Sequence, residues 1–542
     1  MEYHFATVWE TIADEIGDRT ALVHGDCRRT WAEFDERASR LAAAFVDAGL
    51  GHDSKIGLYL YNGNEYLESQ FAAFKMRGVP VNVNYRYLDD ELVYLLDNAD
   101  AEALVFHSSL ADRVARIRER LPRIRLIVEV DDGGAGSSPD VLAYEPLLAA
   151  HAPMPRTERS ETDTYMLYTG GTTGMPKGVM YDMGDITRAF AAMGFPLLGA
   201  AAPDDPAEIA PFVRNAVASG FRLVSMPCAP LMHGTGVWLG AMIPHLGGGQ
   251  VVTLQNRSLD PDEILRTVET EAVTHTTIVG DAFAKPIIRA IDAAIASGRP
   301  YDTSSLQMII SSGVMWTAEV KEQILDRIEQ VVLLDAIGSS EGSMGNSISM
   351  KGVPPRTGSF TSNPTTKVFT DDDREVQPGS DEVGMVAAGG AMVPKGYFKD
   401  PEKSARTFRT IGGVRYSFPG DMAMVAADGS LVLLGRGSQV INSGGEKIFP
   451  EEVEEAVKRV PGVLDCLVVG LPDERFGQSV TAVASITDGS TVSEAEIIAG
   501  VKRDLAAYKA PKRVVFATQV PRAPNGKADY KAARQFAEQA TA

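Results

Sequence analysis

Apolar residues recur at helical spacing from Phe5 to Leu50, for example Leu41, Phe45, Val46 and Leu50, and Gly51 ends the run. That pattern predicts one helical stretch. The period then changes. Lys55–Tyr61 (KIGLYLY) predicts a buried strand, a helix follows to about Met76, and Val79–Val83 predicts a second strand. A helix at Asp89–Asn98 and short strands at Leu104–Phe106 and Arg125–Val130 continue the alternation. Strands at Val251–Leu254, Thr276–Val279, Gln307–Ser311 and Val331–Asp335 repeat it further along. Such βαβ alternation is the mark of parallel sheets covered by helices. Gly384–Phe398 predicts a small β subdomain, and Leu431–Leu434 a strand. The last hundred residues predict a compact α+β unit. It has strands at Val463–Val469, Ser479–Ile486 and Arg513–Ala517, and a helix to Tyr508 opened by a Ser493/Glu496 capping box.

Between these elements lie polar connections. Asp131–Ser138 predicts a loop, Pro153–Asp163 a linker, and Ala200–Val217 an irregular Pro- and Asp-rich insertion. The chain of 542 residues is long enough for three or four structural units. Its net charge of −20 argues against broad contact with nucleic acid or anionic lipid. Anionic small molecules would need locally positive sites. Cys27, Cys228 and Cys466 are too far apart in sequence to suggest a disulfide framework or a zinc motif, which fits a reducing cytoplasm. The first residues carry early acids and no basic, then apolar, leader pattern. No apolar run reaches the ~18 residues of a membrane span.

The stretch richest in chemistry is Tyr168–Met180, YTGGTTGMPKGVM. Glycine lets backbone N–H groups approach an anion, threonine hydroxyls add neutral donors, and Lys177 adds a mobile cation. The composition is that of a phosphate cradle. Its spacing matches neither the GxxxxGK[ST] loop nor the GxGxxG dinucleotide turn.

TGGTTGMPKG resembles the phosphate loop of the adenylate-forming superfamily, which includes acyl-CoA synthetases, aryl-CoA ligases, luciferases and peptide-synthetase adenylation domains. Further motifs follow in that family's order over about residues 10–535. The resemblance implies an α/β fold: a large N-terminal adenylation domain, 1–436, of several subdomains with helix-covered, mostly parallel sheets plus a β subdomain, and a small mobile α+β domain, 437–542. It implies ATP or AMP binding by Thr169, Gly170, Gly171, Thr172, Thr173, Gly174 and Lys177. It places adenine at the turn Ser312, Gly313 and Val314 and at Gly338, Ser339 and Ser340. Ile337 stands where the family usually has an aromatic residue, so an aliphatic face replaces a stacking ring. Glu341, with Thr172, matches the magnesium site. Asp421 matches the ribose acid, and Arg436 the residue that contacts ribose or phosphate. Taken alone, Asp421 is equally an acid in a Pro-Gly turn.

The same resemblance implies a hinge at Ser438, where an acid or lysine is more usual. Ser443, Gly444, Gly445 and Glu446 match the loop lining the CoA tunnel. His233, Gly234 and Gly342 match the acyl pocket, although a lone histidine is also a common structural residue. Lys527, on a Pro-Asn-Gly turn, matches the catalytic lysine that reaches the α-phosphate, with Glu341, Thr172 and Lys177 as its catalytic companions. The branch resembled most is that of bacterial fatty-acyl and steroid side-chain acyl-CoA synthetases, through GDAFAKP (Gly280–Pro286), the GSSE variant and INSGGEK.

The expected activity is therefore ATP-dependent acyl-CoA synthesis through an acyl-adenylate, with ATP, Mg²⁺ and CoA. The acid would be bulky or long and hydrophobic, because the residues around the acyl site are small. Two alternatives stand beside it: loading of a carrier-protein thiol, and an inactive paralogue that binds nucleotide or acyl-AMP. A homodimer is compatible with a sequence otherwise silent on assembly.

Overall fold

The computed structural model describes residues 1–134, 140–169, 175–443, 446–473, 476–523 and 527–541. A long mixed sheet runs through the larger part. Its central strands, Thr20–His24, Gln250–Thr253, Val224–Pro227, His275–Ile278, Met308–Ser312 and Val332–Ser339, are mutually parallel in that spatial order. Val332–Ser339 then turns back antiparallel into Gly342–Ser349, and further antiparallel strands, including Leu431–Arg436 and Asp421–Val425, extend that edge. A second sheet is parallel throughout, built on Lys55–Tyr59, Val79–Asn82, Ala101–His107 and Leu126–Val130. Thr164–Thr169 and Lys177–Asp182 form an antiparallel pair with Gly396–Tyr397 beside it. The last residues fold around Val463–Asp473 and Gly477–Ile486, with Arg513–Phe516 parallel to the latter.

The predicted helix over Phe5–Leu50 is two helices. Phe5–Ile16 and Trp31–Asp47 flank a hairpin of Thr20–His24 and Cys27–Thr30. Gly25 turns that hairpin at φ +55, and a capping box of Thr30 and Glu33 starts the second helix. The short TALVH strand is masked in the sequence because two amphipathic helices surround it. Both helices close on the largest core, where wholly buried Trp9, Trp31 and Phe34 pack around His245 and Phe71 packs against Trp9. Burial holds His245 down at about 3, so it is a neutral member of that core.

Three further expectations change. Ala200–Val217 is not irregular: Asp205 caps a short turn at Pro206–Glu208, and helix Ile209–Ala218 follows. Gly384–Phe398 divides between sheets, since Gly384–Ala387 joins the long sheet while Gly396–Tyr397 pairs with Lys177–Asp182. The helix predicted to Tyr508 ends at Asp504, and a terminal helix, Tyr530–Thr541, buries only Ala533 and Ala537, too narrow an apolar face to be read locally. Among the described residues no helix is long and apolar enough to cross a membrane.

Candidate active site

The carboxyl ends of both parallel sheets face one cavity of about 1110 Å³. Open α/β sheets bind ligands at that end, where successive loops diverge. Its walls come from the segments that follow the strands: Tyr61, Tyr85, His107, Cys228, Leu254, Asp281, Gly313 and Ser340. The opposite wall comes from the C-terminal residues Glu451, Glu454, Arg522 and Lys527.

Thr169 and Lys177 face each other across the antiparallel pair that carries the phosphate-loop motif. Gly170, Gly171, Thr172, Thr173 and Gly174 between them lie outside the described residues. The Lys177 ammonium sits 5.2 Å from the centre of the Tyr397 ring, a cation–π contact. The Tyr397 hydroxyl donates to Glu341 Oε1 at 2.8 Å. Burial, then the Glu341 charge, raises the Tyr397 phenol above its ordinary value, so it stays protonated as a donor. Glu341 occupies the tight turn between Val332–Ser339 and Gly342–Ser349. Tyr181 fixes that turn by donating to the Ser340 carbonyl at 2.6 Å, and the Glu341 N–H donates to Ser339 Oγ at 3.1 Å.

Asp421 and Arg436 are register partners on adjacent antiparallel strands. Arg436 Nε lies 2.9 Å from Asp421 Oδ1, and its guanidinium also donates to the Pro419 carbonyl at 2.8 Å. Asp421 Oδ2 is buried in the cavity wall with no hydrogen-bond partner among the described residues. Burial raises the Asp421 carboxyl, and Arg436 opposes that shift. A buried carboxylate oxygen without a donor is expensive, and a ligand hydroxyl would satisfy it. Below it, Glu451 Oε1 accepts from the Arg436 N–H at 3.4 Å. A Cβ at Gly435, where φ is +114, would overlap the Glu451 carboxyl. Burial raises both Glu451 and Glu454, and the Glu451 charge adds to the cost of ionising Glu454.

Lys527 enters from the C-terminal unit, where the Ala523 N–H donates to the Lys527 carbonyl at 2.8 Å, and the Pro-Asn-Gly residues 524–526 before it lie outside the described residues. Its Cε lies 3.5 Å and its Nζ 4.0 Å from the point a Cβ would occupy on Gly313, and Thr235 Oγ1 lies 3.9 Å from the same point. Much of Lys527 stays open to the cleft, yet protein surrounds its ammonium closely enough that burial is the leading influence lowering its pKa. Arg436 adds to that lowering, while Glu341 and Asp421 oppose it. Three cations and two carboxylates thus converge on one space, an arrangement suited to binding and polarising a polyphosphate.

Of the residues singled out in the sequence, the cavity gathers Thr169, Lys177, Gly313, Val314, Gly338, Ser339, Ser340, Glu341, Asp421, Arg436 and Lys527. Ser312 ends its strand just behind Gly313, and Gly342 starts the returning strand. His233 and Gly234 lie on the turn before the π-helical stretch Thr235–Met242. Burial holds His233 down at about 3, and its Nε2 is buried without a partner among the described residues. A Cβ on Gly234 would meet Trp238 at 3.3 Å. Ser443 and Glu446 pair on a hairpin of the small unit and form no part of the cavity wall, while Gly444 and Gly445 lie outside the described residues. Ser438 belongs to the single turn Gly437–Gln439 between the two parts. Tyr397, Glu451 and Lys285 escaped the sequence reading. Only Tyr397 carried a signal, an aromatic residue straight after the glycine of a close strand contact.

This open sheet with a cationic cleft under a small C-terminal unit defines a nucleotide-activating enzyme. The AMP-binding enzyme family matches residues 9–398, and the AMP-binding enzyme C-terminal domain matches residues 452–527. The chain belongs to the AMP-binding enzyme family. It is 40% identical over 550 residues to the medium-chain acyl-CoA ligase Mig of Mycobacterium avium, covering 98% of this chain and 97% of that protein. It is 38% identical over 545 residues to a 3-oxocholest-4-en-26-oate–CoA ligase of Rhodococcus rhodochrous, covering 98% and 96%. The fold is similar to the crystal structure of the anthranilate CoA ligase AuaEII in complex with anthranoyl-AMP, with a TM-score of 0.85 at 22% identity over 100% of this chain and 98% of that one.

Proposed function

We propose that this enzyme is an ATP-dependent acyl-CoA synthetase that activates a hydrophobic carboxylic acid, a medium- to long-chain fatty acid or a steroid side-chain acid. The observation that carries the reading is the approach of the Lys527 side chain to Gly313, beside Glu341, Asp421 and Arg436. The named activities of the relatives support the choice of acid.

A carboxylate oxygen attacks the α-phosphorus of ATP, the bond to the β-phosphate breaks, and pyrophosphate leaves. Lys527, Lys177 and the phosphate loop with Thr172 neutralise the charge that builds on phosphorus. Among the described residues no cluster of three His, Cys, Asp or Glu forms a metal cage. A magnesium ion here would take the Glu341 carboxylate and the Thr172 hydroxyl together with phosphate oxygens and water, a donor set that suits it. Bound, it would supply further charge neutralisation at the phosphates. Asp421 Oδ2 accepts a ribose hydroxyl.

The thiol of CoA then attacks the acyl carbon, AMP leaves, and the thiol proton passes to solvent. In our reading the unit 437–542 turns about Ser438 for this step, withdrawing Lys527 and presenting Ser443–Glu446 to the thiol. His233, Gly234 and Gly342 border the acid. The reaction belongs in the cytoplasm, where ATP and CoA are supplied. A homodimer would leave each cavity self-contained, since every residue named comes from one chain.

An ATP- and CoA-dependent screen of short, long, aromatic and steroidal acids tests the reading. Thioester formation should favour the long and steroidal acids and neglect acetate. Turnover of none of them, or of aromatic acids alone, overturns it.

A further inference from the structure

The GDAFAKP segment opens helix Gly280–Ala296 directly behind the Gly313 turn. Gly280 sits at φ +50, and a Cβ there would stand 2.5 Å from the Met315 carbonyl oxygen and 2.8 Å from that of Val314. The Gly280 N–H donates to Ser311 Oγ at 2.9 Å. The Asp281 carboxylate accepts from the Thr317 N–H at 2.9 Å and from its hydroxyl at 3.0 Å. The first helical turn is therefore clamped to both sides of the cleft turn 312–316.

One turn on, Lys285 Nζ lies 3.6 Å from Asp281 Oδ2 and donates to the Leu464 carbonyl at 3.2 Å. Leu464 belongs to the small C-terminal unit. Its neighbour Asp465 holds Arg522 in a two-point ion pair at 2.7 and 2.8 Å. Arg522 bridges to Ala528, next to Lys527. Asp281 also faces the Lys458 ammonium on helix Pro450–Lys458 and favours its charged form. An unbroken series of contacts thus joins the Gly313 turn, through Asp281, Lys285, Leu464, Asp465 and Arg522, to Ala528, the neighbour of Lys527.

We infer that Asp281 and Lys285 are positioning residues for adenylation, which set the position of Lys527 over the Gly313 turn. The inference rests on the two-step reading above. A charged donor shared between two bodies favours only the arrangement in which they meet. The Lys285–Leu464 bond must break when the small unit turns, so Lys285 serves the first half-reaction and is idle in the second.

The test is Lys285→Met, with Lys285→Arg as the conservative variant. Lys285 is partly exposed, so both variants should keep the wild-type melting temperature. Lys285→Met should lower kcat for acid-dependent ATP–pyrophosphate exchange about tenfold, with KM for ATP little changed. Acyl-CoA formation from supplied acyl-adenylate should hold its rate. Lys285→Arg, which keeps a cationic donor, should recover most of the exchange. Unchanged exchange, or an equal fall in both half-reactions, overturns the inference. A wild-type enzyme that exchanged pyrophosphate with no acid would sink the proposed function instead. Hydrogen exchange over residues 463–466 then decides this point by itself: faster exchange in Lys285→Met supports the contact, and unchanged protection rejects it.

Discussion

The hydroxyl of Tyr397 donates to Glu341 Oε1 at 2.8 Å, joining two sheets that the chain builds far apart. The bond fixes which way the Glu341 carboxylate points, while the same ring supports Lys177. Tyr397→Phe keeps the ring and deletes the donor. A hydrogen bond to a charged acceptor is worth about 1.5–3 kcal/mol. The variant should therefore need more magnesium and lose roughly tenfold or more in adenylation rate. A magnesium titration of pyrophosphate release measures it, and an unchanged titration would remove Glu341 from the metal.

Lys527→Ala should separate the half-reactions. Removing one cation aimed at developing charge costs ~10²–10³ in rate. Pyrophosphate exchange should fall by that factor while supplied acyl-adenylate still reacts with CoA. Equal loss in both assays would show that Lys527 is not confined to the first step.

Asp421→Asn addresses the buried oxygen that has no donor among the described residues. Asn keeps the shape and loses the charge that pairs with Arg436 Nε at 2.9 Å. ATP affinity should weaken about tenfold, the worth of one charge-assisted hydrogen bond. The sharper readout is selectivity: wild type should prefer ATP over a 2′,3′-dideoxy analogue, and the variant should barely distinguish them. Equal selectivity in the two proteins would release Asp421 from the ribose.

The Glu451 and Glu454 carboxyls give the closed arrangement a pH dependence. Burial raises both, and the Glu451 charge raises Glu454 further. Asp421 faces Glu451 and makes its ionisation harder still, while Arg436 eases it and Lys458 eases that of Glu454. The Tyr530 hydroxyl also bonds Glu454. For an acid raised on folding, stability is complete below the ordinary glutamate range of about 4.3 and is lost as pH rises through the raised values. The melting temperature should therefore fall as pH rises across neutrality, and Glu451→Gln, which cannot ionise, should flatten that slope. A wild-type slope of opposite sign, or an identical slope in the variant, would contradict this account.

Much of the architecture was legible in local patterns. Periodicity marked the parallel strands from Val251 to Asp335, because a strand buried on both faces must be continuously apolar. Gly, Pro and Asp marked the turns that hold Gly313, Glu341 and Asp421, because those conformations admit few residue types. The hairpin at Thr20–Thr30 and the helix at Ile209–Ala218 were missed, since a short element between stronger patterns has little period of its own.

The site divides in the same way. Lys177, Glu341, Asp421, Arg436 and Lys527 could be picked out by their places in an ordered series of family-like motifs, and not by residue type and turn alone. Their meeting in one cavity could not, nor could Tyr397, Glu451 and Lys285, which look like ordinary tyrosine, glutamate and lysine until their partners arrive. Residue chemistry and chain period are properties of neighbours along the backbone. Which strand ends open on a shared space, and which buried acid finds no donor, depends on how separate sheets pack, and that information is spread over the whole chain.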